Sequence, residues 1–146
     1  MELENNLKLE KFNPEVLREY DIRGIVGKNL TENTAYTLGR TFGHIVCENF
    51  FKKKIAVGYD GRLTSPSLKK ALCCGLIDAG AEIYSIGLCP TPMSYFAHYH
   101  LETDAIIMVT GSHNPSEYNG FKMVLNKHSF FADKIQKLQS LLDGNQ

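Results

Sequence analysis

The sequence predicts an α/β fold, in which helices cover both faces of a mixed, mainly parallel sheet in a three-layer α/β/α arrangement. The first observation is that short apolar segments alternate along the chain with longer segments of helical periodicity. The second is that the central strand candidates, residues 55–59 and 105–109, are apolar at nearly every position. A strand without polar alternation is typical of a sheet that is buried on both faces.

The composition is that of one globular domain. The chain has 146 residues, of which 43% are hydrophobic and 22% are charged. We assign residues 12–146 to this domain and expect residues 1–11 to form a mobile N-terminal tail. Residues 20–26 are predicted to form an extended segment.

Charge and hydropathy exclude several classes of partner. Sixteen basic and sixteen acidic side chains cancel, so the charge gives no reason to expect binding to nucleic acid or to an anionic membrane. No run approaches the roughly 18 apolar residues of a membrane span, and the first residues carry no apolar signal core. The four cysteines form no Cys-x-x-Cys pair. We therefore expect a cytoplasmic protein without a membrane or nucleic-acid partner.

The first predicted helix begins after Thr31, a residue type that favours the N-cap position. Gly39 and Gly43 share one face of this helix, where we expect them to permit a close approach to the sheet. The apolar positions that follow helical spacing are Ala35, Leu38, Phe42, Ile45 and Val46.

The remaining elements alternate in type up to the end of the chain. Ser65 followed by Pro66 predicts the N-cap and first turn of a second helix, which Gly80 closes. Asn119-Gly120 is a strong hairpin signal. Strands are predicted at residues 55–59, 82–88, 105–109 and 121–125, and helices at residues 91–100 and after Asp133. The turn at residues 60–62 reads as a structural connection between a strand and the second helix.

The loop that begins Thr110-Gly111-Ser112 is the most informative segment for function. It follows an apolar strand, and ligands of open α/β sheets gather where loops leave the carboxyl ends of strands. The loop is long for a strand connection, and long ordered loops tend to be functional. Ser112 is therefore a candidate for chemistry.

A serine hydrolase would need a base within reach of the Ser112 hydroxyl. His113 is adjacent in sequence and poorly placed for that role, and the strained Gly-x-Ser-x-Gly elbow is absent. The Walker A pattern of nucleotide-binding loops is absent as well. We therefore rank a serine hydrolase last among the hypotheses for this chain.

The segment TGSHNPSEYNGFK resembles the phosphoserine loop of the α-D-phosphohexomutases, the phosphomannomutase/phosphoglucomutase family. Three further segments resemble that family in the same order along the chain. They are EYDIRG at residues 19–24, VGYDGR at residues 57–62 and PTPM at residues 90–93. The resemblance covers nearly the whole chain from residue 12 onward, and the family's first domain is likewise a three-layer α/β/α unit.

The resemblance implies that Ser112 carries a phosphoryl group. In the family, the serine donates this group to a sugar monophosphate, the bound bisphosphate reorients, and the other phosphate returns to the serine. The net reaction interconverts hexose 1-phosphate and hexose 6-phosphate, of mannose or glucose, with hexose 1,6-bisphosphate as the activator. Hexose phosphates are thus the expected partners.

The resemblance also implies roles for residues around Ser112. Arg23 and Lys122 match basic residues near the phosphoserine, and Lys122 matches a residue with a part in proton handling. His113 matches a histidine that lines the site, so we expect it to orient or to stabilise charge. Asn114 is expected to shape the loop. Separately from the resemblance, we interpret Tyr20 as a packing residue that sets the angle of the segment that carries Arg23.

A metal and further domains are implied as well. The family holds Mg²⁺ partly through a phosphate oxygen on the residue that matches Ser112, and partly through an Asp-Gly-Asp-Gly-Asp-Arg loop of its second domain. This sequence has no such loop, and the resemblance covers only the first of the family's four domains. We expect the isolated chain to be inactive without the remaining mutase domains, in cis or on another chain. The alternative is a non-catalytic domain that binds a sugar phosphate or a partner chain.

Overall fold

The computed structural model describes residues 7–88, 96, 101–130 and 132–144. The predicted helix at residues 91–100, the PTPM segment and Cys89 lie outside the described residues, apart from Phe96. The strands are β1 Ile22–Ile25, β2 Lys54–Tyr59, β3 Glu82–Leu88, β4 Ala105–Val109, β5 Tyr118–Leu125 and β6 His128–Ser129. The helices are α1 Glu32–Asn49, α2 Ser65–Asp78 and α3 Asp133–Gly144, and a 3₁₀ turn spans Pro14–Val16.

The strands form one mixed sheet in the order β1-β5-β4-β2-β3, with β6 paired to β5. Strand β2 runs parallel to both β3 and β4. Strand β5 runs antiparallel to β1, β4 and β6. The predicted α/β fold with a mixed sheet is confirmed, and parallel pairing is confined to the three strands β3, β2 and β4.

Both faces of the central strands are buried, as their apolar sequences predict. On one face, a large core forms between the sheet and the three helices, with Phe42 of α1, Leu72 of α2 and Leu138 of α3 in it. On the other face, a small buried cluster lies on β2, β4 and β5. Its members are Ala56, Ile106 and Val124.

The N-terminus of α1 confirms the Thr31 prediction, and that of α2 corrects the Ser65 prediction. The backbone N–H of Thr34 donates to Thr31 Oγ1 at 3.3 Å, and Thr34 Oγ1 accepts from the Thr31 N–H at 2.9 Å. In α2 the N-cap is Thr64, without a side-chain cap hydrogen bond, and Ser65 is the first helical residue. The Ser65 hydroxyl donates instead to Asp60 Oδ1 at 2.6 Å. Because Ser65 is already inside the first turn, its hydroxyl joins the helix start to the Asp60 carboxylate and does not cap the helix.

Gly39 and Gly43 permit close contact with a helix, so the prediction that they face the sheet is wrong. A Cβ on Gly39 would meet the backbone of α2 at Leu72, Gly75 and Leu76. Both glycines lie beside the apolar row that faces the sheet, and α2 packs on that flank. The two helices therefore touch through their backbones.

Strand β5 begins at Tyr118, three residues before its predicted start at 121. Asn119 and Gly120 lie inside this strand, paired with Gly24 and Arg23 of β1, so the prediction of a hairpin turn there is wrong. The tight connection is at residues 126–127, which both have positive φ and join β5 to the unpredicted strand β6. Pairing with β1 has overridden the local turn preference.

Residues 7–11 contact helix α1. The backbone N–H of Lys8 donates to Asn33 Oδ1 at 3.0 Å, and that of Glu10 donates to Thr37 Oγ1 at 3.0 Å. The predicted mobile tail includes residues 1–6, which lie outside the described residues, and its boundary at residue 11 stays a prediction. None of the described helices is long and apolar enough to cross a membrane.

The α1–α2 contact predicts that Gly75→Ala destabilises the fold. An alanine Cβ at this position would meet the backbone of α1 at Tyr36, with the Arg40 nitrogen at 2.9 Å. Backbone cannot move aside as a side chain can, so we expect a loss of about 1–3 kcal/mol in the free energy of unfolding. Urea denaturation measures it. In an uncrowded helix the same change stabilises by up to about 1 kcal/mol.

The matched control is Gly61→Ala, because a Cβ on Gly61 would meet nothing within 4 Å. It should change the free energy of unfolding by no more than about 0.5 kcal/mol. Equal losses in the two variants would contradict the assigned backbone contact.

Candidate functional site

Two loops meet where the neighbouring parallel strands β2 and β4 end. Residues 60–64 leave β2, and residues 110–117, here called the Ser112 loop, leave β4. A cleft of about 700 Å³ lies between them, and Arg62, Ser112, Asn114 and Ser116 are among its lining residues. The carboxyl edge of a parallel sheet is the common place for a ligand site in α/β folds.

The backbone of Ser112 has an unfavourable conformation. Its φ is 55°, in the left-handed region that residues with a Cβ rarely adopt. Such a conformation costs about 1–3 kcal/mol and persists only where the surroundings hold it. The N–H of Ser112 donates to Thr110 Oγ1 at 3.0 Å, which is one such constraint.

Asp60 joins the two loops through its carboxylate. Oδ1 accepts from Ser65 Oγ at 2.6 Å and from the Arg62 N–H at 3.1 Å, and Oδ2 accepts from the Gly111 N–H at 3.0 Å. Burial acts to raise the pKa of Asp60, but these hydrogen bonds, with one from the Thr110 hydroxyl, outweigh it and lower the pKa below its usual value. The carboxylate is therefore held in its charged form.

Arg62 binds the backbone of the Ser112 loop. Its two terminal nitrogens donate four hydrogen bonds to carbonyl oxygens, and its Nε lies 3.3 Å from Asp60 Oδ2. The four acceptors are the carbonyls of Ser112 at 3.1 Å, Asn114 at 2.7 Å, Pro115 at 2.7 Å and Tyr118 at 3.1 Å. We call the side chains of Asp60 and Arg62 together the Asp60/Arg62 clamp.

The sequence predicts only a structural turn at residues 60–62 and does not indicate this contact with the Ser112 loop. Motifs at the ends of two strands indicate a shared site only if those strands are neighbours, and the strand order was not predicted.

The structure brings Arg23 to the Ser112 loop. With its amide oriented so that Oδ1 faces the guanidinium, Asn114 accepts from Arg23 Nη1 at 2.6 Å and from Nε at 3.0 Å. The carboxylate of Asp21 accepts from the remaining terminal nitrogen of Arg23. Arg23 is thus fixed between β1 and the loop by an anion and an amide.

Lys122 lies on the same face of the sheet as Arg23. Arg23 pairs with Gly120 across β1 and β5, and Lys122 is two residues further along β5, so both side chains project from one face. Gly120 also accepts a backbone hydrogen bond from Thr110 at 2.9 Å, where the Ser112 loop begins. Both cations therefore project from one face of the sheet, from strands β1 and β5 on one side of the strand that leads into the loop.

The other two predicted residues are less enclosed. His113 is exposed on the Ser112 loop. Tyr20 is 69% exposed, so most of its ring lies in solvent. The roles expected of them stay predictions.

Asn119 holds two elements together at the site, a role that its sequence pattern, a turn signal, does not predict. Its side chain is fully buried, and its Nδ2 donates to Thr64 Oγ1 at 2.8 Å and to Ser65 Oγ at 3.0 Å. It thereby links β5 to the start of α2, directly beside the Asp60 carboxylate. A buried asparagine that satisfies its donors in this way fixes the position of both elements.

The donor set around Ser112 does not complete a magnesium site. Within residues 7–88, 101–130 and 132–144, no three His, Cys, Asp or Glu side chains are grouped as metal ligands would be. The carboxylate in the cleft, Asp60, already accepts hydrogen bonds on both oxygens. A hard cation requires about six oxygen ligands, which these residues do not supply.

The chain matches the protein family described as "Phosphoglucomutase/phosphomannomutase, alpha/beta/alpha domain I" over residues 14–146. The phosphomannomutase/phosphoglucomutase of Pseudomonas aeruginosa is 43% identical over 132 residues, which are 89% of this chain and 28% of that protein. The phosphomannomutase of Escherichia coli is 46% identical over 131 residues, which are 88% of this chain and 28% of that protein.

A solved structure agrees with the sequence relatives. A phosphoglucomutase/phosphomannomutase family protein from Burkholderia thailandensis has a TM-score of 0.84 and 39% sequence identity, and the match covers 92% of this chain and 31% of that chain. The chain therefore spans less than a third of the length of these relatives.

The lowered pKa of Asp60 predicts that Asp60→Asn weakens the fold in a pH-dependent way. A folded-state pKa below the unfolded value adds stability that is present above the unfolded pKa, about 4, and is lost as the pH falls through the folded pKa. The variant should lose about 2 kcal/mol of unfolding free energy at pH 7. The loss should shrink as the pH falls below about 4. Urea denaturation between pH 7 and pH 3 measures both.

The control is Glu48→Gln, on an exposed position of α1. It should leave the free energy of unfolding nearly unchanged across this pH range. A loss in Asp60→Asn that stays constant down to pH 3 would contradict the role of the charge.

Proposed function

This chain belongs to the phosphoglucomutase/phosphomannomutase family, and we propose that Ser112 is its phosphoryl carrier. The reaction would interconvert hexose 1-phosphate and hexose 6-phosphate through a bound bisphosphate. The observation that carries the proposal is the geometry of the Ser112 loop. The loop lies at the carboxyl edge of the sheet, and Arg23 is hydrogen-bonded to it through Asn114.

Charge compensation supports this role. A phosphoserine carries about −1.5 to −2 charges near neutral pH and requires cations or hydrogen-bond donors around it. Arg23 keeps two N–H groups, one on each terminal nitrogen, beyond those that Asn114 and Asp21 accept, and Lys122 offers a mobile point charge on the same face of the sheet. Phosphoryl transfer demands little of a protein beyond positioning and such compensation.

The proposed step exchanges one P–O bond for another. The bond between phosphorus and Ser112 Oγ breaks, and a bond forms between phosphorus and a hydroxyl oxygen of the sugar monophosphate. The proton of that hydroxyl ends on Ser112 Oγ, and Lys122 is the side chain proposed to relay it. The reverse step, with the other phosphate of the bisphosphate, returns a phosphoryl group to Ser112.

The remaining parts of the reaction are proposed from the family. Because the chain spans about 28% of its curated relatives, the mutase activity of a whole protein is itself a proposal here. Further mutase domains, in cis or on another chain, would complete the site, and hexose 1,6-bisphosphate would restore the phosphoserine. Mg²⁺ would take one ligand from the phosphate on Ser112 and the others from outside the described residues.

The first prediction is that Ser112→Ala abolishes mutase turnover, because the carrier oxygen is lost. The protein is purified from its own cells, incubated with glucose 1,6-bisphosphate, mapped for phosphopeptides and assayed with hexose 1-phosphates. Phosphate is expected on Ser112 in the wild type and nowhere on the chain in the variant. The control Ser129→Ala, on the exposed strand β6, should behave as the wild type.

Turnover at the wild-type rate in Ser112→Ala would rule out the carrier role. A wild-type protein that binds sugar phosphate but neither turns over nor gains phosphate would support the non-catalytic alternative instead.

The second prediction concerns Arg23, whose charge would stabilise the phosphoserine and the transferring phosphoryl group. Arg23→Gln should lower kcat about 100-fold, the typical effect of removing one preorganised donor to developing charge. Steady-state kinetics on the purified protein measures it. Arg18→Gln is the control, because Arg18 is an exposed arginine outside the cleft. Equal kcat values for the two variants would contradict the role of Arg23.

A further inference from the structure

We infer that Arg62 is a positioning residue: it fixes the backbone of the Ser112 loop for phosphoryl transfer and does not itself bind the phosphate. The inference rests on the proposed function of Ser112. The competing interpretation is that Arg62 binds the phosphate, because it lines the same cleft as Ser112.

The donors of Arg62 are already used. A guanidinium has five N–H groups in a rigid fork. Four of them donate to carbonyl oxygens of the chain at 2.7–3.1 Å, and the fifth, on Nε, faces Asp60 Oδ2 at 3.3 Å. Binding a phosphate would require Arg62 to release the loop. A lysine has three donors without the fork and could not hold the same acceptors.

The hydrogen bonds from Arg62 help to hold Ser112 in its unfavourable backbone conformation. The carbonyl of Ser112 is held by Arg62, and its N–H is held by Thr110 Oγ1 at 3.0 Å. The carbonyls of Asn114 and Pro115 are held by the same guanidinium. The left-handed φ of Ser112 is therefore determined from both sides of the residue, as an unfavourable backbone conformation requires.

Gly111 gives an independent indication of the same contact. A Cβ on Gly111 would overlap the Nε and Cζ atoms of Arg62, so only glycine lets the guanidinium lie against the loop. These atoms end a flexible side chain. Gly111→Ala should thus displace Arg62 and leave the rest of the fold in place.

The consequence for the reaction is a specific kinetic signature. A misplacement of about 1 Å in a reacting group can cost about 100-fold in rate. Sugar phosphate affinity depends on other groups, because Arg62 has no donor to offer. Loss of the clamp should therefore lower kcat and leave KM nearly unchanged.

The experiment compares Arg62→Lys, Gly111→Ala and the double variant with the wild type and with the exposed control Arg18→Lys. Hydrogen exchange of the backbone amides at residues 111–114 and 116–118 reports the loop, and kcat and KM for hexose 1-phosphate report the reaction. Each single variant should speed exchange in this segment alone and lower kcat about 100-fold, with KM changed less than about threefold. The double variant should be no worse than either single one, because both remove the same contact.

Two results would overturn the inference. One is a raised KM with unchanged kcat in Arg62→Lys, which would make Arg62 a phosphate ligand. The other is unchanged exchange at residues 111–118 in both single variants. If the wild type shows no phosphoryl transfer, the proposed function fails, and exchange alone then decides whether Arg62 holds the loop.

Discussion

The whole site depends on one constraint, the attachment of the Ser112 loop to the end of a neighbouring strand by the Asp60/Arg62 clamp. Asp60 accepts from the Gly111 N–H, and Arg62 donates to the carbonyl of Ser112 and to three others. Because β2 and β4 are parallel neighbours, their following loops leave the same edge of the sheet. The clamp fixes the backbone of the Ser112 loop against the residues that follow β2. Ser112 can therefore hold a conformation that it would not adopt alone.

The antiparallel part of the sheet adds the charges. Strand β5 returns beside β4, and β1 pairs with β5, so Arg23 and Lys122 project from one face next to the start of the Ser112 loop. Arg23 is further tied to the loop through Asn114. Parallel strands thus position the Ser112 loop, and antiparallel strands position the two cations beside it. The mixed topology is what places them together.

The features that the sequence predicted correctly depend on local pattern. Strands β3 and β4 have their predicted bounds, and Thr31 caps α1. The errors arise where distant partners compete with local preference. Asn119 carries a turn signal, yet pairing with β1 and two buried hydrogen bonds keep it in a strand. The contact of Arg62 with the Ser112 loop could not be predicted, because it follows from the order of the strands in the sheet, and that order leaves no local pattern in the sequence.

The most direct test of this account is a phosphorus NMR titration of the chain with phosphoserine introduced at position 112 during translation. If Arg23 and Lys122 flank the phosphate in a preformed loop, they stabilise its dianion. The apparent pKa should then lie below the value of about 6 for a free phosphoserine and should return to it in urea. An unshifted pKa in the folded chain would contradict the convergence of these cations on Ser112.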